Sequence, residues 1–268
     1  MKTVLLIGAG GGMGSACACM LLNEGYRVIG MDRPGLVLPK GVSAIEADLT
    51  VSDSILSAFD KVKKQTDSIN AIIYMAGIYD ADSLVEIDEA RMLRIFEINV
   101  FGAYRTVKAF LPLLAENARI IFVTSELADI DPLPFTGLYG ITKSTSDRYA
   151  FSLAMELQLL NIKVSVIRPG AVETPLLSGS VSSIEAFTKK TTYYSHVAAK
   201  FLRVTESVEA KAISPYCVAR KVLRVLSAKH PRFAYCLNRN RMLMLYSILP
   251  KQLKLFAIRT FLKNKSGK

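Results

Sequence analysis

The chain begins with a short apolar run that leads directly into a cluster of glycines, and this junction constrains the fold more than any other segment. Five of the seven residues from 8 to 14 are glycine, and they follow Val-Leu-Leu-Ile. Glycine loses the most conformational entropy on folding, so such a cluster is unfavourable unless the backbone must bend sharply or approach another group closely. A loop between a strand and a helix meets that condition, because it lets the free N–H groups of the helix point at a phosphate.

Beyond this loop, short apolar segments alternate with longer helical ones. The predicted strands are Thr3–Ile7, Arg27–Met31, Ala71–Tyr74, Ile120–Thr124 and Lys163–Ile167, and the predicted helices are Met13–Asn23, Ser54–Lys64, Asp88–Leu114 and Tyr139–Leu159. This alternation indicates a parallel sheet covered on both faces. The predicted fold class is therefore α/β, a doubly wound parallel sheet of the Rossmann type. We predict one domain over 1–238, with a substrate lid at about 175–210, and a C-terminal extension over 239–268.

The charge distribution separates the end of the chain from the rest. Glu209 is the last acidic residue, and fourteen Lys and Arg follow it, whereas the residues before it are close to neutral. Such a basic segment is typical of a surface that meets an anionic partner. We predict no nucleic-acid partner, because no reading helix or aromatic platform accompanies the charge. Basic and apolar residues do not separate cleanly over 251–263, so a helix at a membrane surface and packing on a partner subunit both stay open.

The cysteines, the apolar segments and the histidines indicate a cytoplasmic protein without a metal site. The four cysteines form no disulfide framework, and the N-terminus lacks the cleavage pattern of a signal peptide. No apolar stretch approaches the roughly 18 to 20 residues that span a bilayer. We therefore expect a cytoplasmic protein, with membrane association through the C-terminal segment as an addition. His196 and His230 have no ligand spacing, and no metal site is predicted.

Asp32 is placed to select a cofactor. It closes the second predicted strand, 24 residues after Gly8, where a carboxylate can accept hydrogen bonds from an adenosine ribose. A carboxylate at this point repels a 2′-phosphate, which favours NAD over NADP. Arg33 follows directly and carries the opposite charge, so NADP stays the alternative.

Two Tyr-x-x-x-Lys pairs are candidates for proton chemistry. Residues four apart share one face of a helix, and a nearby ammonium is expected to lower the pKa of a tyrosine. Tyr139 and Lys143 follow Ser125, which ends a predicted strand, and ligands of such sheets bind at the carboxyl ends of the strands. Tyr104 and Lys108 lie deep inside a predicted helix. We therefore predict that Tyr139 and Lys143 are functional and that the other pair is structural.

In this order and spacing the motifs resemble the short-chain dehydrogenase/reductase family over at least residues 1–175. The segment Gly8–Gly14 resembles TGxxxGxG with Ile7 in place of the threonine, and Ala76-Gly77 resembles the end of NNAG without its asparagines. The resemblance implies these cofactor-binding residues: Gly8, Gly10, Gly12, Met13, Gly14, Asp32, Asp48, Leu49, Ala76, Gly77, Tyr139, Lys143, Pro169, Gly170, Val172 and Thr174. The segment Lys229–Tyr235 and the basic run after it are similar to the hydroxysteroid and retinol dehydrogenase branch.

The resemblance also implies a catalytic group. Tyr139 is expected to exchange a proton with the substrate oxygen, and Ser125 to hydrogen-bond that oxygen. Lys143 is expected to lower the tyrosine pKa and hold the nicotinamide ribose, and Asn99 to hold a water that leads protons to solvent. The family's serine often lies about 13 residues before the tyrosine, where this chain has Glu126. We favour Ser125 because it ends the strand as expected.

The expected substrate is lipophilic. The segments before Tyr139 and after Thr174 are predicted to line a mostly apolar pocket, which suits a lipophilic alcohol or ketone such as a hydroxysteroid or retinoid. The candidate lining residues are Leu133, Pro134, Phe135, Leu138, Leu176, Leu177, Phe187, Tyr193 and Tyr194. Reduction of a carrier-bound 3-ketoacyl chain and a non-catalytic, dinucleotide-sensing scaffold are the alternatives. The resemblance further implies a homodimer or homotetramer.

Overall fold

The computed structural model describes residues 1–209 and 211–263, and within them seven parallel strands form one sheet in the order β3-β2-β1-β4-β5-β6-β7. The strands are β1 Thr3–Ile7, β2 Arg27–Asp32, β3 Ser43–Glu46, β4 Ile69–Tyr74, β5 Leu114–Val123, β6 Lys163–Pro169 and β7 Ala234–Leu237. The helices are α1 Gly12–Asn23, α2 Ser52–Lys63, α3 Glu89–Phe96, α4 Gly102–Phe110, α5 Gly137–Leu157, α6 Pro175–Lys190, α7 Ser195–Glu209, α8 Pro215–Ser227, α9 Arg241–Ser247 and α10 Lys251–Lys263. The predicted doubly wound α/β fold is confirmed.

The sheet separates two apolar cores because successive side chains of a strand point to opposite faces. In β1, Leu5 and Ile7 belong to the core under α2, α4 and α5, whereas Val4 and Leu6 belong to the core under α1 and α8. All four side chains are fully buried. Burial on both faces explains why the strand sequences are continuously apolar rather than alternating.

The helix predicted over Asp88–Leu114 is helical from Glu89 to Leu113, but it is not a regular α-helix throughout. A wide π-helical turn at Glu97–Phe101 separates α3 from α4, and β5 begins at Leu114. Such turns are frequent at functional sites. Here the turn carries Asn99 into the interior, where it is only 2% exposed.

Two short strands and the end of the chain were not assigned from the sequence. β3 and β7 have four residues each, and β7 extends the sheet beside β6. α6 and α7 occupy the segment predicted as a lid, of which residue 210 lies outside the described part. α10 packs near α7, and Lys254 contacts Asp131 at 2.8 Å. Residues 264–268 of the predicted extension lie outside the described residues.

Candidate active site

The glycine loop between β1 and α1 packs so closely that side chains cannot be added at several positions. Gly8 has a φ of +83°, and a Cβ there would lie 2.6 Å from the backbone nitrogen of Ala76. A Cβ on Gly14 would lie 1.9 Å from the Gly8 carbonyl oxygen, and one on Gly12 would lie 2.8 Å from Cγ2 of Thr174. Close backbone approach therefore requires glycine at positions 8 and 14. Gly12 packs on the Thr174 side chain, so the loop lies against the segments that follow β4 and β6.

The loop leaves the N-terminus of α1 open to an anion. Among the described residues no side chain caps this terminus, which begins after Gly11. The Gly10 N–H donates to Oδ2 of Asp32 at 2.8 Å, and the Arg33 N–H donates to Oδ1 at 2.8 Å. Free N–H groups at a helix start bind phosphate, and the carboxylate at the end of β2 is placed for a ribose. These residues fit a dinucleotide.

Asp48 and Leu49 follow the end of β3, at the same carboxyl edge of the sheet as Asp32. Asp48 Oδ1 accepts hydrogen bonds from the N–H and Oγ1 of Thr50 at 2.8 and 2.7 Å, and these bonds hold the pKa of the carboxyl below its ordinary value. Leu49 is partly buried against the core. Their contact with an adenine stays a prediction.

Ser125 and Tyr139 meet at the carboxyl edge of the sheet. Ser125 follows β5, and its Oγ accepts from the Leu127 N–H at 3.2 Å at the start of a single helical turn. Tyr139 lies in the first turn of α5, where the neighbouring Ser125 side chain acts to lower the pKa of the phenol. Glu126, the alternative at the family's usual spacing, lines the same cavity as Tyr139, and its Oε2 accepts from the Asn240 N–H at 2.7 Å. The choice of Ser125 over Glu126 stays a prediction.

Lys143 lies one turn further along α5, and both it and Tyr139 are buried. Its Nζ is 5.7 Å from the centroid of the tyrosine ring, and it lies beside Gly77, whose added Cβ would be 3.1 Å away. Burial lowers the pKa of Lys143 to about 8 and raises the pKa of Tyr139 to about 12, although the Ser125 side chain acts to lower the latter. Burial is the main cause of both shifts, and an effect of Lys143 on the pKa of Tyr139 stays a prediction.

Asn99 fastens the end of β4 to α5. Its Oδ1 accepts from the Ile78 N–H at 2.8 Å, and its Nδ2 donates to the Ile78 carbonyl and to Oγ1 of Thr142, each at 3.0 Å. The Ser146 hydroxyl donates to the Asn99 carbonyl at 2.8 Å. Thr142 and Ser146 were not predicted, although they lie four residues apart on one face of α5. The water-holding role of Asn99 stays a prediction.

A buried ion pair behind the site was also missed. Arg168, at the end of β6, donates to Asp147 through Nε at 3.0 Å and Nη2 at 2.7 Å. Arg168 also contacts Asp129 at 2.9 Å. Asp147 lies one turn beyond Lys143 on α5, so the pair holds the helix that carries the tyrosine and the lysine. The four-residue spacing from Tyr139 places Asp147 on the same face of α5, but nothing in the sequence indicates Arg168 as its partner.

A cavity of about 220 Å³ lies beside these groups and is lined mainly by apolar side chains. Its wall includes Ser125 and Tyr139, together with these predicted cofactor-binding residues: Met13, Pro169, Gly170, Val172 and Thr174. Of the predicted pocket residues, Leu133, Leu176 and Leu177 line this cavity. Leu138 and Phe187 are instead buried in the core, and Pro134, Phe135, Tyr193 and Tyr194 line a second cavity.

The second Tyr-x-x-x-Lys pair lies outside the site. The Lys108 ammonium is 3.2 Å from the Tyr104 hydroxyl on the exposed face of α4. Among the described residues no three His, Cys, Asp or Glu side chains are grouped closely enough to hold a metal ion.

A doubly wound sheet with a glycine loop at its first turn, and with Ser, Tyr and Lys at the same edge, defines a class of dinucleotide-dependent oxidoreductases. The model of the short chain dehydrogenase family matches residues 2–185. The chain belongs to this family, and it is an oxidoreductase that uses a nicotinamide dinucleotide.

Individual relatives extend the match over most of the chain. A 3-ketodihydrosphingosine reductase from Bacteroides thetaiotaomicron is 25% identical over 234 residues, which cover 87% of this chain and 86% of the relative. A probable short-chain type dehydrogenase/reductase, VdlC, from Helicobacter pylori is 27% identical and covers 92% of both chains. A solved short chain dehydrogenase family protein from Francisella tularensis is 25% identical, with a TM-score of 0.73 over 88% of this chain and 96% of that one.

Proposed function

We propose that this protein is an NAD-dependent oxidoreductase that interconverts an alcohol with a ketone or aldehyde on a lipophilic substrate. One observation carries the proposal. The side chains of Ser125 and Tyr139 share the wall of a mostly apolar cavity, and Lys143 is buried one turn further along α5. This arrangement offers a proton and a hydrogen-bond donor to one oxygen atom of an otherwise apolar molecule.

Each residue has a separate task in the reaction. The bound nicotinamide supplies or accepts the hydride. Tyr139 donates its proton to the substrate oxygen during reduction and takes a proton from that oxygen during oxidation. Ser125 donates a hydrogen bond to the same oxygen, where negative charge develops. A pKa of about 12 keeps Tyr139 protonated at neutral pH, which suits its role as donor to a ketone.

The proposed preference for NAD rests on Asp32. Its carboxylate is held by the N–H of Gly10 at the position where the family fold places the adenosine ribose. A 2′-phosphate at that ribose would bring a second negative charge against the carboxylate, and NADP would bind less well. The residues that would hold the dinucleotide are those of the glycine loop, Asp32, and the segments after β4 and β6.

The substrate is proposed from the cavity lining. Hydroxysteroids and retinoids are the lipophilic alcohols expected from the sequence, and the relative named as a 3-ketodihydrosphingosine reductase adds keto lipids to the candidates. Reduction of a carrier-bound 3-ketoacyl chain is the second candidate. Asp32 weighs against it, because such reductions usually draw on NADPH.

A spectroscopic assay of nicotinamide reduction and oxidation tests the function. Purified protein is offered steroid alcohols, retinol and keto lipids with either cofactor. We expect turnover that Tyr139→Phe reduces at least about 100-fold, with little change in NAD affinity, because the phenol acts mainly in the transition state. Tyr104→Phe is the matched control and should leave turnover unchanged. NAD binding without turnover on any alcohol or ketone would instead favour the dinucleotide-sensing scaffold.

We further propose a homodimer or homotetramer built partly on α4 and α5. Both helices expose large apolar side chains, among them Tyr104, Phe151 and Met155, and contiguous exposed apolar surface marks contact sites. The four cysteines are free, which supports a reducing, cytoplasmic location. Analytical ultracentrifugation of the wild type and of Phe151→Asp tests the interface. An unchanged sedimentation coefficient would exclude this face.

Peripheral membrane contact is proposed for the C-terminal extension. Met242, Leu245 and Ile248 are strongly exposed, and the segment after Glu209 has no acidic residue, which favours an anionic lipid surface. No helix of the described part is long and apolar enough to cross a membrane. We expect salt-sensitive sedimentation with anionic vesicles that the double change Met242→Asp and Ile248→Asp reduces. Sedimentation that is equal for both proteins would leave only packing on a partner subunit.

A further inference from the structure

A second cavity, of about 540 Å³, lies beside the first and is not used by the proposed reaction. We call it the distal groove. Its walls come from the turn at residues 83–85, the loop at residues 133–135, the segment 193–197 and the inner face of α10. The C-terminal extension therefore forms one side of it, through Leu255, Ile258 and Leu262.

The distal groove adjoins the active-site cavity. Leu133 lines both. On α7, Phe201 lines the active-site cavity and Val197 lines the distal groove. These two residues are one helical turn apart, so the two spaces follow each other along the same helix at a separation of about 6 Å.

The active-site cavity is too small to hold a large substrate by itself. Its volume is about 220 Å³, and its wall includes Met13, Gly170, Val172 and Thr174, which are predicted to contact the dinucleotide. A nicotinamide would take part of this space, since it must reach the substrate beside Tyr139. What is left accepts the reacting end of a substrate, and the remainder of a long molecule has to extend elsewhere.

The distal groove has the surface of a hydrocarbon site. Most of its lining side chains are apolar, and of the described residues that line it none is acidic. Several of the apolar ones are unusually open to solvent, including Val85 at 71% and Leu255 at 73%. Its polar lining residues include His196 and Arg259, both exposed. Exposed apolar walls in a concave site indicate a ligand that covers them.

We propose that the distal groove binds the hydrocarbon tail of the enzyme's own substrate, and that this substrate is a linear, long-chain ketone or secondary alcohol. Its oxygen lies at Ser125 and Tyr139, and its unbranched chain passes Leu133 to reach α10. A rigid fused-ring molecule cannot bend around Leu133, whereas an alkyl chain can. The inference rests on the proposed function, and it narrows the lipophilic substrate class from ring systems to flexible chains.

Linear ketones of increasing chain length test the proposal with the full-length protein. In the wild type, kcat/KM is expected to rise by up to about fourfold for each methylene that enters the groove. Leu255→Asp puts a charge into the groove from an exposed position and should lower kcat/KM for long ketones at least tenfold while short ketones are unaffected. Phe256→Asp is the matched control, because Phe256 is the next residue of α10, is 67% exposed and does not line the groove. Val85→Asp, on the opposite wall, should reproduce Leu255→Asp.

A binding measurement separates this proposal from the redox function. Displacement of a fluorescent apolar probe by n-alkanols of increasing length needs no turnover. Length-dependent displacement that Leu255→Asp abolishes would support the groove even if no ketone reacted, in which case the proposed reaction alone would fail. Turnover without any gain from chain length, together with equal displacement by short and long alkanols, would overturn the groove. An altered oligomeric state of Leu255→Asp with unchanged length dependence would assign the face to a second copy of the chain and also overturn the proposal.

Discussion

Replacement of Lys143 by methionine is expected to make the protein more stable although it removes a residue of the proposed site. Lys143 is 6% exposed, and burial lowers its pKa from the ordinary value of 10.5 to about 8. The folded state therefore disfavours the ammonium form. A difference of this size corresponds to about 3 kcal/mol of free energy of unfolding. Methionine has a similar length and carries no charge to desolvate.

The pH dependence gives this prediction a sign that can be checked. Between about pH 8 and pH 10.5 the unfolded chain holds the Lys143 proton and the folded chain does not, so stability rises with pH across this window. Below pH 8 both states are protonated, and the full desolvation penalty is present. Lys143→Met should thus gain up to about 3 kcal/mol at neutral pH, and the gain should disappear above pH 10.5.

Urea denaturation without added dinucleotide, at neutral and at alkaline pH, measures this gain. Lys108→Met is the matched control, because Lys108 is exposed on α4 and its replacement should leave the pH dependence unchanged. A variant Lys143→Met that is less stable than the wild type at neutral pH would refute the reasoning. So would a gain of equal size at both pH values, since packing rather than desolvation would then be its cause.

Three further changes test other parts of the structure. Gly14→Ala places a methyl group 1.9 Å from a carbonyl oxygen of the glycine loop, and fluorescence titration should show NADH binding weakened at least about tenfold; unchanged affinity would contradict the close packing. Asp147→Ala leaves Arg168 without its bidentate partner and should lower the free energy of unfolding, measured by urea denaturation, by about 3 kcal/mol. Lys190→Ala, in an exposed pair, should lower it by less than about 1 kcal/mol. Equal losses of stability would argue against a buried pair. Asp32→Asn should lower the ratio of kcat/KM for NAD to kcat/KM for NADP about tenfold, which corresponds to a loss of about 1.4 kcal/mol of discrimination. A constant ratio would show that the carboxylate does not select the cofactor.

The sequence alone was sufficient to predict a strand or helix where the local pattern was long or chemically distinctive. The predicted bounds of β1 agree with the structure, and α1 begins one residue earlier than predicted. The strands β3 and β7 were missed because four residues are too few to show a period. The π-helical turn around Asn99 was missed as well, because the side chain of Asn99 bonds to Ile78, which is distant in sequence.

The meeting of Ser125 with Tyr139 could be expected from the sequence, because parallel strands bring their carboxyl ends to one edge of the sheet. The Asp147–Arg168 pair and the division of the apolar residues between two cavities could not, since both depend on which distant segments come to lie beside α5 and α7. The pKa values of Tyr139 and Lys143 belong to the same category. Spacing along a helix predicts that two groups are neighbours, but only the packed structure decides how much water each has lost. Here burial raises the pKa of Tyr139 and lowers the pKa of Lys143.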